Sequence, residues 1–458
     1  MLEKGRPSLA ILPFVDPDAE EDDQYPAHGL VEELFARISR LEGIRVIAPA
    51  SASRFTASPE GLERIVAELG VSAVVEGSVR RAGERLRIAV RLLDTRSGKP
   101  LWSGSYERAM SDLPALGDDI LSQIAEVFDT RPAELEARPT PHPEAYECYL
   151  KGRYFWNRRT AEGLRRSSAY FERAIEVDPG YAQAYSGLAD ANLLLVEYAG
   201  KSPREAAAAA REAVLEALKI DDSMAGAHAS LGAIHFLYGW DAQAAEAAFR
   251  RSLELSPGYA TAHHWHALHL VACGRFDDAL AEIRLAQQAD PLSPILYAAG
   301  GWTAYGADRP EVAITEAQRS FELDPEFAQG HLVLGLARFR MGQVDPALGA
   351  LERAVALSGQ QPRVLGLLGY AYGCAGETGA ARAVLDQLDV LAESSYVPAS
   401  RVALVHGSLG DTGRMREWLD RAIEERDMLL PYAPTILADR PRLADVLEAS
   451  GFRYGRDG

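Results

Sequence analysis

The sequence predicts an α+β chain: a small mixed-sheet α/β domain at the N-terminus, followed by an all-α superhelical solenoid. Three observations carry this expectation. Small residues recur every 34 positions through the C-terminal two thirds of the chain. The first 130 or so residues lack that period and instead alternate strand-like and helix-like runs. A proline-rich stretch separates the two patterns. With 458 residues the chain is also too long for one ordinary core, so two or more folding units are expected.

The period is carried by independent columns. Pro257, Pro291 and Pro325 are 34 apart, and the same step reaches Gly359. Ala245, Ala279, Ala313, Ala347 and Ala381 form a second column, and Gly301, Gly335 and Gly369 a third. Ser252, Ala286, Ser320 and Ala354 form a fourth. Two helices with their turns fill such a period. Small residues are required where paired helices cross closely, because a larger side chain would overpack the contact. Proline ends each pair by removing an amide donor and restricting the residue before it. One pair cannot bury its own apolar stripe, so neighbours stack into a superhelix.

Within residues 328–361, Leu334-Gly335, Gly342, Ala347, Leu351 and Ala354 stand in a pattern that resembles the tetratricopeptide repeat (TPR) family. The register predicts about eight units over 144–430, starting near 144, 182, 226, 260, 294, 328, 362 and 396. The first two are stretched. Residues 431–458 read as a C-terminal capping helix region over the end of the stack. Residues 131–143 hold Pro132, Pro139, Pro141 and Pro143 and read as a linker.

Residues 1–130 read as the α/β domain. Residues 8–15 form a buried strand, and Gly29 to Leu41 a helix with Leu30, Leu34, Ile38 and Leu41 on one face. Ile44 to Ala48 is a second strand, and Ser58 is placed to cap a helix over Glu60 to Leu69. Three strands follow at about 72–81, 85–95 and 99–107, joined by turns with Gly83 and Gly98. A last helix spans about Pro114 to Phe128. Ile11-Leu12-Pro13-Phe14, Gly29-Leu30, Glu32-Glu33-Leu34 and the run from Val75-Glu76-Gly77-Ser78-Val79-Arg80-Arg81 through Leu101-Trp102 to Tyr106 resemble the TolB amino-terminal-like domain of bacterial TPR regulators. In that family the block commonly follows a winged-helix, kinase or nucleotide cyclase domain. Only seven residues precede the first strand, so no such output domain is expected to fit ahead of it.

A formal net charge of −18 argues against a nucleic-acid surface and against adhesion to anionic membranes. Cys148, Cys273 and Cys374 are far apart, so neither a disulfide framework nor a zinc site is expected. No signal peptide is evident, and a cytoplasmic chain is the default. Catalytic, cofactor and metal residues are all expected to be absent. Gly200-Lys201-Ser202 lacks the upstream glycine of a phosphate loop, and Asp16 to Asp23 lacks the ligand order of a calcium loop. His263, His264, His266 and His269 cluster on one helix, but His228, His263 and His331 share repeat position 4, a packing site. No nucleophile, base and oxyanion set is found.

The TPR resemblance implies a concave face lined by the first helix of each pair. Its positions here give Phe236, His264, Trp302, Tyr305, Leu336, Phe339, Arg340 and Tyr370, with Asp190 and Leu332 beside them. The Lys and Asn clamp for a terminal carboxylate is missing. The expected function is a non-catalytic scaffold or adaptor that holds an apolar segment of a protein partner. The alternative is the sensory module of a bacterial signalling system, acting in trans or separated from its output domain.

Overall fold

The computed structural model describes all residues except 1–6, 17–23, 40, 42, 83–84, 110–111, 131–141, 159, 200–201, 439 and 456–458. The acidic stretch after Asp16, the Gly83 turn, most of the proline-rich linker and the Gly200-Lys201 pair therefore lie outside the described residues.

The N-terminal domain is a five-stranded mixed sheet in the order β2-β1-β3-β4-β5. Strand β1 (Ser8–Ile11) pairs in parallel with β2 (Arg45–Ile47) and β3 (Ala73–Ala82). The hairpins β3-β4-β5, with β4 (Arg85–Asp94) and β5 (Pro100–Ala109), are antiparallel. Every residue of β1 is buried, as a central strand covered on both faces requires. Helices α1 (Tyr25–Ile38) and α4 (Leu113–Val127) cover one face, and α2 (Pro49–Ala52) and α3 (Pro59–Leu69) the other. Ser58 caps α3, its Oγ accepting from the Gly61 amide at 3.1 Å. Helix α1 begins four residues before the expected Gly29, because Pro26 suits the first turn and Tyr25 and Ala27 are buried there. Helix α2 was not expected, since four residues carry no readable period.

Eight helix pairs follow: α5 (Pro143–Asn157) with α6 (Ala161–Val177), α7 (Ala182–Ala199) with α8 (Pro203–Ile220), and α9 (Ala225–Ile234) with α10 (Ala242–Leu255). Next come α11 (Ala260–Ala272) with α12 (Phe276–Ala289), α13 (Pro294–Gly306) with α14 (Pro310–Leu323), and α15 (Ala328–Arg340) with α16 (Val344–Leu357). The last are α17 (Pro362–Ala375) with α18 (Thr378–Ala392) and α19 (Ala399–Ser408) with α20 (Thr412–Glu425). Pro143, expected to close the linker, is instead the first residue of α5, where the missing amide costs nothing. A π-helical turn, His235–Gly239, extends α9.

The 34-residue columns have the anticipated cause. A Cβ on Gly335 would stand 2.6 Å from Leu351 Cγ and 3.0 Å from the Ala347 carbonyl oxygen, so the crossing admits only hydrogen. Repeat position 4 does more than pack. His228, His263 and Tyr297 each place a ring nitrogen or hydroxyl 2.9 Å from the carbonyl oxygen six residues back, at Asp222, Pro257 and Pro291. His331 does the same at 3.2 Å to Pro325. The side chain thus ties each first helix to the turn before it. Ser252 and Ser320 donate to the carbonyls of Ala225 and Pro294 across each pair.

Contacts on two sides set the N-terminal domain against the solenoid, and Arg54 adds a bond to the Leu323 carbonyl of α14 at 3.1 Å. Helix α1 lies on α5, where Tyr25 donates to Glu147 at 2.7 Å and Arg153 to Glu32 at 3.1 Å. Further along, the Ala48 amide donates to the Ala289 carbonyl at 3.1 Å. Ser51, fully buried, donates to Asp290 and accepts from the Leu292 amide. Leu292 joins the apolar cluster of α2 and α3.

Candidate functional site

The first helices of neighbouring pairs touch one another over most of the stack: α5 with α7, α7 with α9, α9 with α11, α11 with α13, α13 with α15, and α17 with α19. They form the inner wall, and their inward side chains meet there. Phe236, Tyr305, Leu336 and Tyr370 are all buried in one continuous apolar cluster, with Trp302, Leu332 and Phe339 half-buried against it. The fold therefore brings together most of the expected groove residues.

Their exposure is another matter, because the inner wall is covered. Residues 428–455 leave α20 and run back along it as a 3₁₀ turn (Leu430–Tyr432), α21 (Ala433–Ile436) and α22 (Pro441–Ala449). Of the region expected to cap the stack, α22 packs on α20, while the 3₁₀ turn and α21 lie against α11. The Tyr432 ring stands edge-on to Phe236 at 5.6 Å and to Trp302 at 5.8 Å. Phe452 meets Trp240 edge-on at 5.0 Å. The Tyr454 hydroxyl lies 2.7 Å from His269 Nδ1. Phe236, expected as a groove surface, is only 2% exposed for this reason.

Arg340 ties the two together. Its guanidinium sits 3.7 Å from the Tyr305 ring centroid, and it donates to the Tyr305 carbonyl and, at 3.2 Å, to the Thr435 carbonyl of the covering segment. Trp302 stacks on Tyr305 at 5.6 Å. His264 stays apart from these rings. It is half-buried, its Nε2 has no hydrogen-bond partner, and burial holds its pKa down to about 4. Asp190, at the other end, accepts from Ser230 and faces Arg153 at 3.7 Å. There α1 of the N-terminal domain, through Glu32, occupies the neighbouring space.

The other histidines of α11 form a charge network with carboxylates of α10 and α12, and His269 also faces the groove. His266 Nε2 stands 3.0 Å and His269 Nε2 3.4 Å from Glu246 Oε2, and His263 Nδ1 is 2.6 Å from Glu282. Hydrogen bonding from His269 and His266 holds the Glu246 carboxyl well below the usual carboxylate range, against the cost of burial. Burial lowers the His266 pKa, but its bonds to Glu282 and Glu246 outweigh that and raise it. Arg250 at 2.8 Å and Arg275 at 3.3 Å pair with the other Glu246 oxygen. Those two cations disfavour a metal ion beside them. Among the described residues no group of three or more His, Cys, Asp or Glu is arranged to hold one.

Sequence reasoning missed the covering segment. Tyr432, Phe452 and Tyr454 carry no period, though Tyr432 between Pro431 and Pro434, with Pro441 soon after, marks the stretch as unlike the repeats.

A tetratricopeptide repeat family model matches residues 231–294 and 299–362. A relative, "Putative adenylate cyclase 3" of Rhizobium meliloti (strain 1021), is 30% identical over 189 residues, 40% of this chain and 32% of its own length. The chain thus spans about a third of that curated relative. Among solved structures, PilF of Pseudomonas aeruginosa matches at 22% identity and a TM-score of 0.36, covering 48% of this chain and 94% of its own. PilW, a type IV pilus biogenesis factor, matches at 20% identity and a TM-score of 0.35, covering 50% and 98%. The chain carries tetratricopeptide repeats in an α+β architecture. No described helix is long and apolar enough to cross a membrane.

Proposed function

We propose that this chain is a non-catalytic scaffold that holds an apolar segment of a protein partner on the inner wall of its repeat stack. One observation carries the reading. The strip of Phe236, Trp302, Tyr305, Phe339 and Tyr370 already accepts a non-repeat, aromatic-bearing segment, its own residues 428–455. A surface that binds such a segment in cis has the shape and chemistry to bind one in trans. Aromatic anchors in a desolvated groove are where interface energy concentrates. Repeats of this kind supply extended binding surfaces rather than reaction centres. The test is capture by the full chain. Trp302→Ala with Phe339→Ala should weaken retention of a partner from the native cell at least tenfold while the helices stay folded by circular dichroism. Undiminished retention by the folded variant would refute the groove.

A second reading has its own support. The Rhizobium relative is named as a cyclase, and this chain matches less than half of it. The N-terminal domain also touches the stack at both α5 and the α12–α13 turn, so a change in one is felt by the other. On this reading the chain is a regulatory module of a signalling protein. A thermal-shift response of the full chain to a small metabolite, lost on altering the α/β domain, would favour it.

A further inference from the structure

We propose that residues 428–455 are an internal ligand of the groove, released as a unit when a partner binds. We further infer that the partner segment matches them: a short irregular stretch with two tyrosines or phenylalanines around a turn whose carbonyls are free. This rests on the scaffold reading above.

The first support is how the segment is held. Among the described residues, the backbone hydrogen bonds of 430–451 outside its helices all close within the segment or on the Asp427 carbonyl before it. None reaches the helices of the inner wall. Its ties to the wall are side-chain contacts: the buried Leu430, Ile436 and Leu437 in the shared apolar cluster, the Tyr432 and Phe452 rings, the Tyr454 hydroxyl on His269, and the Arg340 guanidinium on the Thr435 carbonyl. Such contacts form and break without disturbing the helical ladder of either side. Unlike a ninth repeat, the segment is not a pair of long helices: it is a 3₁₀ turn and two short helices whose apolar side chains join the cluster of the inner wall.

The second support is the pivot. Asp427 is fully buried and accepts from the Ser400 amide at 2.8 Å and the Leu429 amide at 2.9 Å. Arg426 just before it has φ +56°, in the left-handed region. The chain is pinned at α19 and turns sharply there, so the stretch beyond can leave the groove by giving up side-chain contacts, those of α22 on α20 included, without unwinding the helices of the eighth pair. Tethering makes the local concentration of the segment high, and it will exclude weak ligands and yield to strong ones.

The third support defines the partner. The wall presents Phe236 and Trp302 to one ring, His269 to a phenolic hydroxyl, and the Arg340 guanidinium to a backbone carbonyl. His269 is almost wholly buried, so an incoming group must supply the hydrogen bond that Tyr454 now makes. An aliphatic helix alone would leave that nitrogen unsatisfied.

The experiment uses the full chain and a labelled synthetic peptide copying residues 428–455. In a variant with Tyr432→Ala, Phe452→Ala and Tyr454→Ala, the tethered copy is weakened. The peptide should bind this variant at least tenfold more tightly than the unaltered chain, and adding Phe236→Ala should abolish the gain. Equal binding to both chains, or no binding to the folded triple variant, would overturn the proposal. Should the triple variant not fold, hydrogen exchange on the unaltered chain decides. Amides of 429–451 should exchange by an opening that leaves α11 to α17 protected, and exchange only with global unfolding would overturn the proposal. The two readings fail separately. Peptide binding as expected, with partner capture indifferent to Trp302→Ala and Phe339→Ala, overturns the groove as the partner site. No peptide binding, with capture still sensitive to them, overturns the internal ligand alone.

Discussion

Replacing Ser51 by Ala should loosen the N-terminal domain from the repeat stack. The hydroxyl is fully buried and serves both sides of the contact. It donates to the Asp290 carboxylate and accepts from the Leu292 amide at 2.8 Å. Ser51→Ala strands a buried N–H, which costs about 1–3 kcal/mol, and removes a bond to an ionised group, worth about 1.5–3 kcal/mol. Asp290 keeps its contact with Ser293, so we expect about 3 kcal/mol in all. The loss depends on pH with a definite sign. Burial already raises the Asp290 pKa against the help of Ser51. A carboxyl raised in the folded state contributes stability that is present below its unfolded value and lost as pH rises through its folded one. Removing Ser51 raises it further, so the penalty should be smaller in acid, where only the stranded amide and a neutral bond are lost, and grow toward neutrality. Urea unfolding of both chains across this range reads it directly, with Ser122→Ala, on the exposed face of α4, as a control. A difference under about 0.5 kcal/mol at pH 7, or one that does not change with pH, would refute the account.

Four further outcomes are expected. Gly335→Ala should destabilise by about 1–2 kcal/mol because its Cβ meets Leu351 and a backbone oxygen. Gly349→Ala, on an exposed turn of α16 with nothing within 4 Å, should stabilise by about 0.5–1 kcal/mol; melting curves check both. His264 should stay neutral in the folded chain down to about pH 4, as ring-proton NMR would report. The unfolded imidazole titrates near 6.5, so His264→Gln should gain on the unaltered chain by about 3 kcal/mol as pH falls from above 6.5 to below 4, and then level off. Glu246→Gln should lower the His266 pKa, since the carboxylate is one of two that raise it. The stability His266 adds below its unfolded pKa, lost as pH rises through the folded one, should shrink accordingly, read as a flatter pH profile between about 5 and 8.

Much of the architecture was legible because close packing leaves a periodic trace. The glycine and alanine columns place helix crossings, and seven of the eight predicted starts fall within one residue of a first helix. The eighth, α19, begins at Ala399, three residues late, because Pro398 fits just outside the helix. The position-4 histidines were legible as structural, though not their bond to the preceding turn. That bond depends on the backbone path of the turn, which residue type alone does not encode.

The sequence by itself determined the repeat register and the mixed sheet with its antiparallel hairpins, and it offered a row of candidate inward side chains. These follow from local periodicity and from the volume available at each crossing. Only the tertiary structure decided what those inward side chains touch. Ser51 meets Asp290 across 239 residues, and Tyr454 meets His269 across 185. Such pairs arise where the superhelix curls back and brings remote segments together, and a single side-chain contact leaves no period behind. The groove could be read from the sequence as a row of aromatic residues. That the chain fills it with its own C-terminal segment became visible only in the fold.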